Sequence, residues 1–425
     1  MKHWAKLGSC VLGIGTIWSF VARAQSHRSQ VPHYDLEMTS NEYANELKIR
    51  KLTQVEDASD VGTAIAWGTK NLSWLAAINS QRDPSRQLQL TSPGSQRGIP
   101  IDKPNQYGPK TISDDLALLQ AELPAEYKQV LESDLPVPNS TQIPDEEFLV
   151  WARKINRLYE TAARWRLLSP YKDGLALRKK NDVRGYYFLE KLENKEEVLK
   201  NLSSQDLKLQ EDVKSWLKIL CSNSGLAEGD DEEFFCQQEL SRLLSQNQDL
   251  NPFYVKQKRV AKENYDSFFN IRNARSDLQW NASDQTTALF PFLKPETQAI
   301  QDFLKINIED EWKWSDWKLL LSFGNPKASA KVVFEPGATP NVNGLGGNII
   351  TMDKNVPITE YNVRWTIRHE FGHVLGFPDC YLEFYEPEID LMINYQIDTS
   401  HLMCSRVGKF SESMYENMKR VYLKP

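Results

Sequence analysis

Residues Thr366–Asp379 read TIRHEFGHVLGFPD. In a helix, positions i and i+4 lie on one face, one turn apart. His369 and His373 can therefore reach one metal ion through neutral imidazole nitrogens, which suit zinc. Glu370 stands beside the first of them, placed to take a proton from water at the ion and hand it on to a leaving group. Gly376 ends the helix, since a residue without a Cβ enters the left-handed conformation at little cost. Pro378 stiffens the return, and Asp379 comes back as a third ligand. A fourth position is left for water, as catalysis at zinc requires.

The motif sits on an apolar frame of Trp365, Ile367, Phe371, Val374, Leu375 and Phe377. Histidine is scarce: the chain has six, and two of them fall in this one turn. His27 and His33 lie in a polar N-terminal stretch, and His401 follows the motif. The bland reading of Asp379 is a solvated turn residue, in which case His401, Glu383 or Glu386 would complete the metal site.

The first 24 residues carry Lys2 and Lys6 ahead of the apolar run CVLGIGTIWSFVA, then Ala22 and Ala24 at the small positions of a cleavage site. This is the pattern of a secretory signal removed after Ala24, and the run is short for a membrane span. The segment holds three basic residues and no acid, so its loss takes the formal charge from −6 to −9. A chain that acidic has no general attraction to nucleic acid. No later stretch is long and apolar enough to cross a bilayer. Cys221, Cys236, Cys380 and Cys404 remain, an even count that suggests two disulfides in an exported protein. Three pairings exist. Local pairing, Cys221–Cys236 and Cys380–Cys404, is preferred.

Residues 25–111 read as polar, linker or pro-segment. A short helix is expected at 61–80, and 81–111, rich in Pro, Gly, Ser, Gln and Arg, looks like a linker or long loop. From 112 to 285 the pattern is helical. Its clearest helix starts at Asp145, a candidate cap after Pro144, and carries Phe148, Trp151, Ile155, Leu158, Tyr159, Ala162 and Trp165 on one face. Further helices are expected at 184–200, 204–221, 231–247 and 253–273. After Trp280 the order changes. An amphipathic helix covers 294–312, and strands are expected at 317–323, 330–336 and 347–353. The metal helix, 361–376, and a last helix, 411–423, follow. The last helix puts Met414, Met418, Val421 and Tyr422 on one side.

His369, Glu370, His373, Gly376 and Asp379 resemble the zinc-binding signature of the metzincin clan of zinc peptidases. That clan has H-E-x-x-H-x-x-G-x-x-H or, in a minority such as the snapalysins, Asp at the last position. The clan also has a tight turn with a methionine beneath the metal. TSHLMCS fits, with Met403 in that role and Met392 as runner-up. The likeness covers about residues 286–425. It implies an α+β fold: a metzincin-like catalytic domain with a short twisted sheet, an active-site helix and a C-terminal helix, preceded by a mostly helical domain. An extended peptide would pair with an edge strand in 330–353. Some clan members have a tyrosine two residues after the methionine. Here that position is Ser405, so an assisting tyrosine would have to be Tyr381, Tyr385 or Tyr395. The helical region matches no accessory domain of the clan.

Two functions follow as expectations. The first is a secreted zinc endopeptidase acting on protein or peptide substrates. The second is a secreted binding or scaffold protein with a structural or vestigial zinc site, whose helical region docks a partner or a cell-wall polymer. A closed site with His401 as fourth ligand would favour the second. The N-terminal part is also a candidate autoinhibitory plug.

Overall fold

A Schellman turn closes the helix Tyr361–Val374. Gly376, at φ +86°, donates its amide to His373 O, and Phe377 donates to Gly372 O, both at 3.0 Å. The left-handed residue here has to be glycine. An added Cβ would meet Asn273 O at 2.3 Å. Around this helix the computed structural model describes residues 31–53, 59–90, 98–223, 232–281, 283–324 and 329–423. The expected signal segment 1–24 lies outside the described residues.

Among the described residues, helices are mixed with three small sheets. Val31–Pro425 cohere as one unit, in which the described residues form three apolar cores. One is built by helices Ser40–Ile49, Asp60–Asn79, Pro109–Glu122, Ala125–Glu132 and Asp145–Leu168. The longest of these buries Phe148, Ile155, Tyr159, Ala162 and Trp165 on one stripe, as its periodicity requires. Asp145 is not its cap. Pro144 takes that position, Asp145 is the first helical residue, and its carboxylate is bound by Arg82 at 2.6 Å. The second core joins helices Arg184–Lys191, Lys195–Lys200, Leu207–Ser222, Glu232–Ser245 and Asn251–Ser267, tied by the Cys221–Cys236 disulfide.

The third core surrounds the metal helix. Strands Trp317–Ser322, Lys331–Glu335 and Ile349–Asp353 form where branched and aromatic residues predict them. The last two run parallel, and a two-residue strand, Asn341–Val342, pairs antiparallel with Ile349–Asp353 and forms the sheet's other edge. The expected 294–312 helix is shorter, Gln298–Leu304 followed by a π-turn at Lys305–Glu309. The C-terminal helix Glu412–Tyr422 buries Met414, Met418 and Tyr422.

The stretch 81–111 departs from the linker reading. Asn105–Tyr107 is an edge strand against Leu391–Gln396, which in turn pairs with Tyr381–Glu386. Three residues are too few to show a period. Tyr381–Glu386 is largely buried on both faces, so it shows no alternation either. Residues 25–60 are not unstructured throughout. Ser40–Ile49 is a helix begun by a Thr39–Glu42 capping box.

Candidate metal centre

The metal helix and the turn after it bring three side chains together. Nε2 of His369 and of His373 lie 3.1 and 3.4 Å from Asp379 Oδ1. These three groups form a cluster able to hold a metal ion, and both imidazoles are buried. The backbone sets their tautomers. His369 Nδ1 lies 2.9 Å from Leu402 O, and His373 Nδ1 lies 2.9 Å from Phe377 O. A carbonyl only accepts, so both Nδ1 atoms carry the proton. In the neutral form both Nε2 lone pairs then face a carboxylate oxygen. That oxygen is buried and lacks hydrogen-bond geometry to either ring. Lone pairs and an anion converging on one point call for a cation between them, either a proton or a metal ion.

The electrostatics agree. Burial works against a charge on His369, but the Asp379 carboxylate outweighs it and pushes the imidazole up to about 10. Burial also opposes ionisation of Asp379. The surrounding His373, His33 and His369 nevertheless hold its carboxyl well below the usual carboxylate range.

Glu370 is buried and not part of the three-residue cluster. Among the described residues none hydrogen-bonds its carboxylate. Burial, offset in part by the two imidazoles, raises it above the ordinary carboxylate value.

Met403 lies under the metal helix, fully buried, on a turn where Cys404 and Ser405 amides donate to His401 O at 3.0 and 3.1 Å. Its carbonyl accepts from Cys380 N at 3.0 Å. The Cys380–Cys404 disulfide clamps the same two segments. Met392, the alternative, belongs to the N-terminal helical core.

The competing ligands are engaged elsewhere. His401 is buried, and its Nδ1 accepts from Met403 N at 3.1 Å. Burial pulls it down to about 4, so it is neutral. It does approach Cys380 and Cys404, but those sulfurs are bonded to each other. Glu383 is held by Arg164 at 2.7 Å and Glu386 by Lys179 at 2.8 Å. Of the three tyrosines, Tyr395 donates to Asp182 and Tyr385 to Asp390. Only Tyr381 stands at the centre, its hydroxyl 2.9 Å from His33.

His33 itself is the residue that sequence reasoning left aside. Its Nε2 is 2.8 Å from Asp379 Oδ2. The one signal was the rarity of histidine. A cavity of about 350 Å³ opens here, lined by His33, Arg178, Pro378, Asp379 and Tyr381 among others. A larger one, about 790 Å³, lies along Phe234–Arg242 and includes none of these residues.

Compared with family models, curated proteins and solved structures, the chain matches none. Two disulfides suit an exported protein. No helix among the described residues is long and apolar enough to cross a membrane.

Proposed function

We propose that the chain is a secreted, metzincin-like zinc endopeptidase in which His369, His373 and Asp379 hold Zn2+ and Glu370 is the general base. The observation that carries this is the convergence of two Nε2 atoms and Asp379 Oδ1. In a tetrahedral zinc site with bonds of about 2.0–2.2 Å, neighbouring ligand atoms stand roughly 3.3–3.6 Å apart. The separations here, 3.1 and 3.4 Å, lie at and just below the lower part of that span. Zinc supplies Lewis acidity that polarises a scissile carbonyl and acidifies water.

The remaining work falls to the chain. Glu370 is unengaged by described neighbours, so it is free to accept the proton of an attacking water and return it to the leaving amine. Three protein ligands leave room for water, as a hydrolytic site needs. The Nδ1–carbonyl bonds fix both rings, and Met403 supports the helix from below.

The substrate side has support as well. Asn341–Val342 is a short antiparallel edge strand. The connection after it is tied to the metal helix, because Gly346 N–H donates to His373 O at 2.7 Å. An extended protein or peptide segment pairing with that edge would lie across the helix end that carries the ligands.

The test is metal analysis of the purified protein together with digestion of casein or a peptide library, with and without a chelator. Bound zinc, chelator-sensitive cleavage, and loss of both in His369→Ala, His373→Ala and Asp379→Ala are expected. Cleavage indifferent to the chelator would overturn the reading. Zinc held with no cleavage of any substrate would return the chain to the scaffold alternative.

A further inference from the structure

We propose that His33 is a positioning residue of the metal centre: it binds the outer oxygen of Asp379 and so fixes the inner oxygen toward the two imidazoles. The proposal rests on the reading of Asp379 as a metal ligand and adds a residue that lies far outside the stretch His369–Asp379.

The geometry divides the carboxylate between two partners. Oδ1 faces His369 and His373, while Oδ2 meets His33 Nε2 at 2.8 Å. A carboxylate oxygen only accepts, so Nε2–H donates to it in the neutral or the charged ring alike. Tyr381 completes the setting. Its ring stacks on His33 with an interplanar angle of 13°, and its hydroxyl lies 2.9 Å from the same nitrogen. With Oδ2 occupied, Asp379 presents one oxygen to an ion. Without that donor the carboxylate could rotate and offer both, or swing away. Hydrogen bonds to metal-ligating carboxylates orient them in this way.

The His33 side chain is 61% exposed, and an exposed imidazole on a free chain would not hold such a position. Here the next residues are anchored at both backbone and side chain. Arg164, buried in the helix Asp145–Leu168, donates to Tyr34 O at 3.1 Å and Asp35 O at 2.8 Å. The same guanidinium holds Glu383. Asp35 grips Arg406 Nε at 2.6 Å. Glu37 accepts from Ser405 Oγ at 2.7 Å and from Arg406 N. Arg406 is 1% exposed and lies three residues past Met403. Tyr34 and Met38 are buried in the helical core. Residues 33–38 are therefore built into the fold, and they tie the helical core to the metal centre through His33.

The test compares His33→Ala, His33→Gln and Asp379→Ala with the parent protein. Two readouts are used: affinity for zinc by competition with a chromophoric chelator, and the visible spectrum of the cobalt-substituted protein. His33→Ala is expected to weaken metal binding about 10- to 100-fold and to change the cobalt bands as Asp379 moves from one-oxygen to two-oxygen contact. His33→Gln keeps an N–H donor and is expected to restore most of the affinity, which a merely structural role for the ring would not give. Parent affinity and an unchanged cobalt spectrum in His33→Ala would overturn the proposal. So would faster peptide hydrolysis with unchanged affinity, which would mark His33 as an inhibitory contact. If Asp379→Ala also binds zinc as the parent does, it is the ligand assignment that fails.

Discussion

Met403 stands so close beneath Gly372 that a Cβ built on the glycine would come within 2.2 Å of the methionine sulfur. Gly372 lies between His369 and His373 in sequence, so the contact fixes the height of the metal helix over the turn. Gly372→Ala should cost about 1–3 kcal/mol through overpacking and reduce metal affinity. Adding Met403→Ala should recover part of both, since the two positions share one space. Thermal unfolding and chelator competition measure this. Additive losses in the double variant would contradict it.

Arg164 and Glu383 form a buried pair that links the helix Asp145–Leu168 to the strand Tyr381–Glu386, which follows Asp379. Burial opposes a charge on Glu383, but Arg164, with Tyr107 and Asn394 donating, holds it below its ordinary 4.5. A depressed folded-state value contributes stability above the unfolded value, and that stability is lost as pH falls through the folded one. The parent should therefore lose stability below about pH 4.5. Arg164→Met should cost about 3–5 kcal/mol at neutral pH by stranding Glu383. It should also reverse the sign of that group's pH dependence, because protonation then relieves a buried charge. Melting curves from neutral to acid pH decide it.

The Cys380–Cys404 disulfide joins the segment after Asp379 to the residue after Met403. Replacing both cysteines with alanine should lower stability by about 2–4 kcal/mol and loosen the metal site. Cys221–Cys236 lies in the separate helical core, so its removal should cost stability and leave metal affinity unchanged. Equal effects of the two pairs on metal affinity would refute this.

The cluster of His369, His373 and Asp379, which could hold a metal ion, was legible because its spacing is local. Two histidines one turn apart, a glycine at the helix end and an acid three residues later need no knowledge of the rest of the chain. The helix Asp145–Leu168 and the strand Ile349–Asp353 were legible for the same reason: their periodicity or branched residues lie within one element. Pairing of Asn105–Tyr107 with Leu391–Gln396 was not, because its register is set nearly three hundred residues away. His33 was missed likewise. Only the folded chain shows that Asp35, Glu37 and Arg406 bring a polar N-terminal residue to Asp379. Phe148, Tyr159 and Trp165 of the helix Asp145–Leu168 are core, as its face spacing implied, but no local pattern disclosed that Arg164 would reach across to Glu383.

The central claim is that Glu370 moves the proton at a metal held by other residues. Glu370→Gln preserves size and removes the base, so the most direct measurement is its zinc content and peptide-cleavage rate beside those of the parent. Full metal content with cleavage reduced at least about 100-fold is the expected result, the low end of what a general base contributes. Cleavage at the parent rate by the zinc-loaded variant would contradict the account.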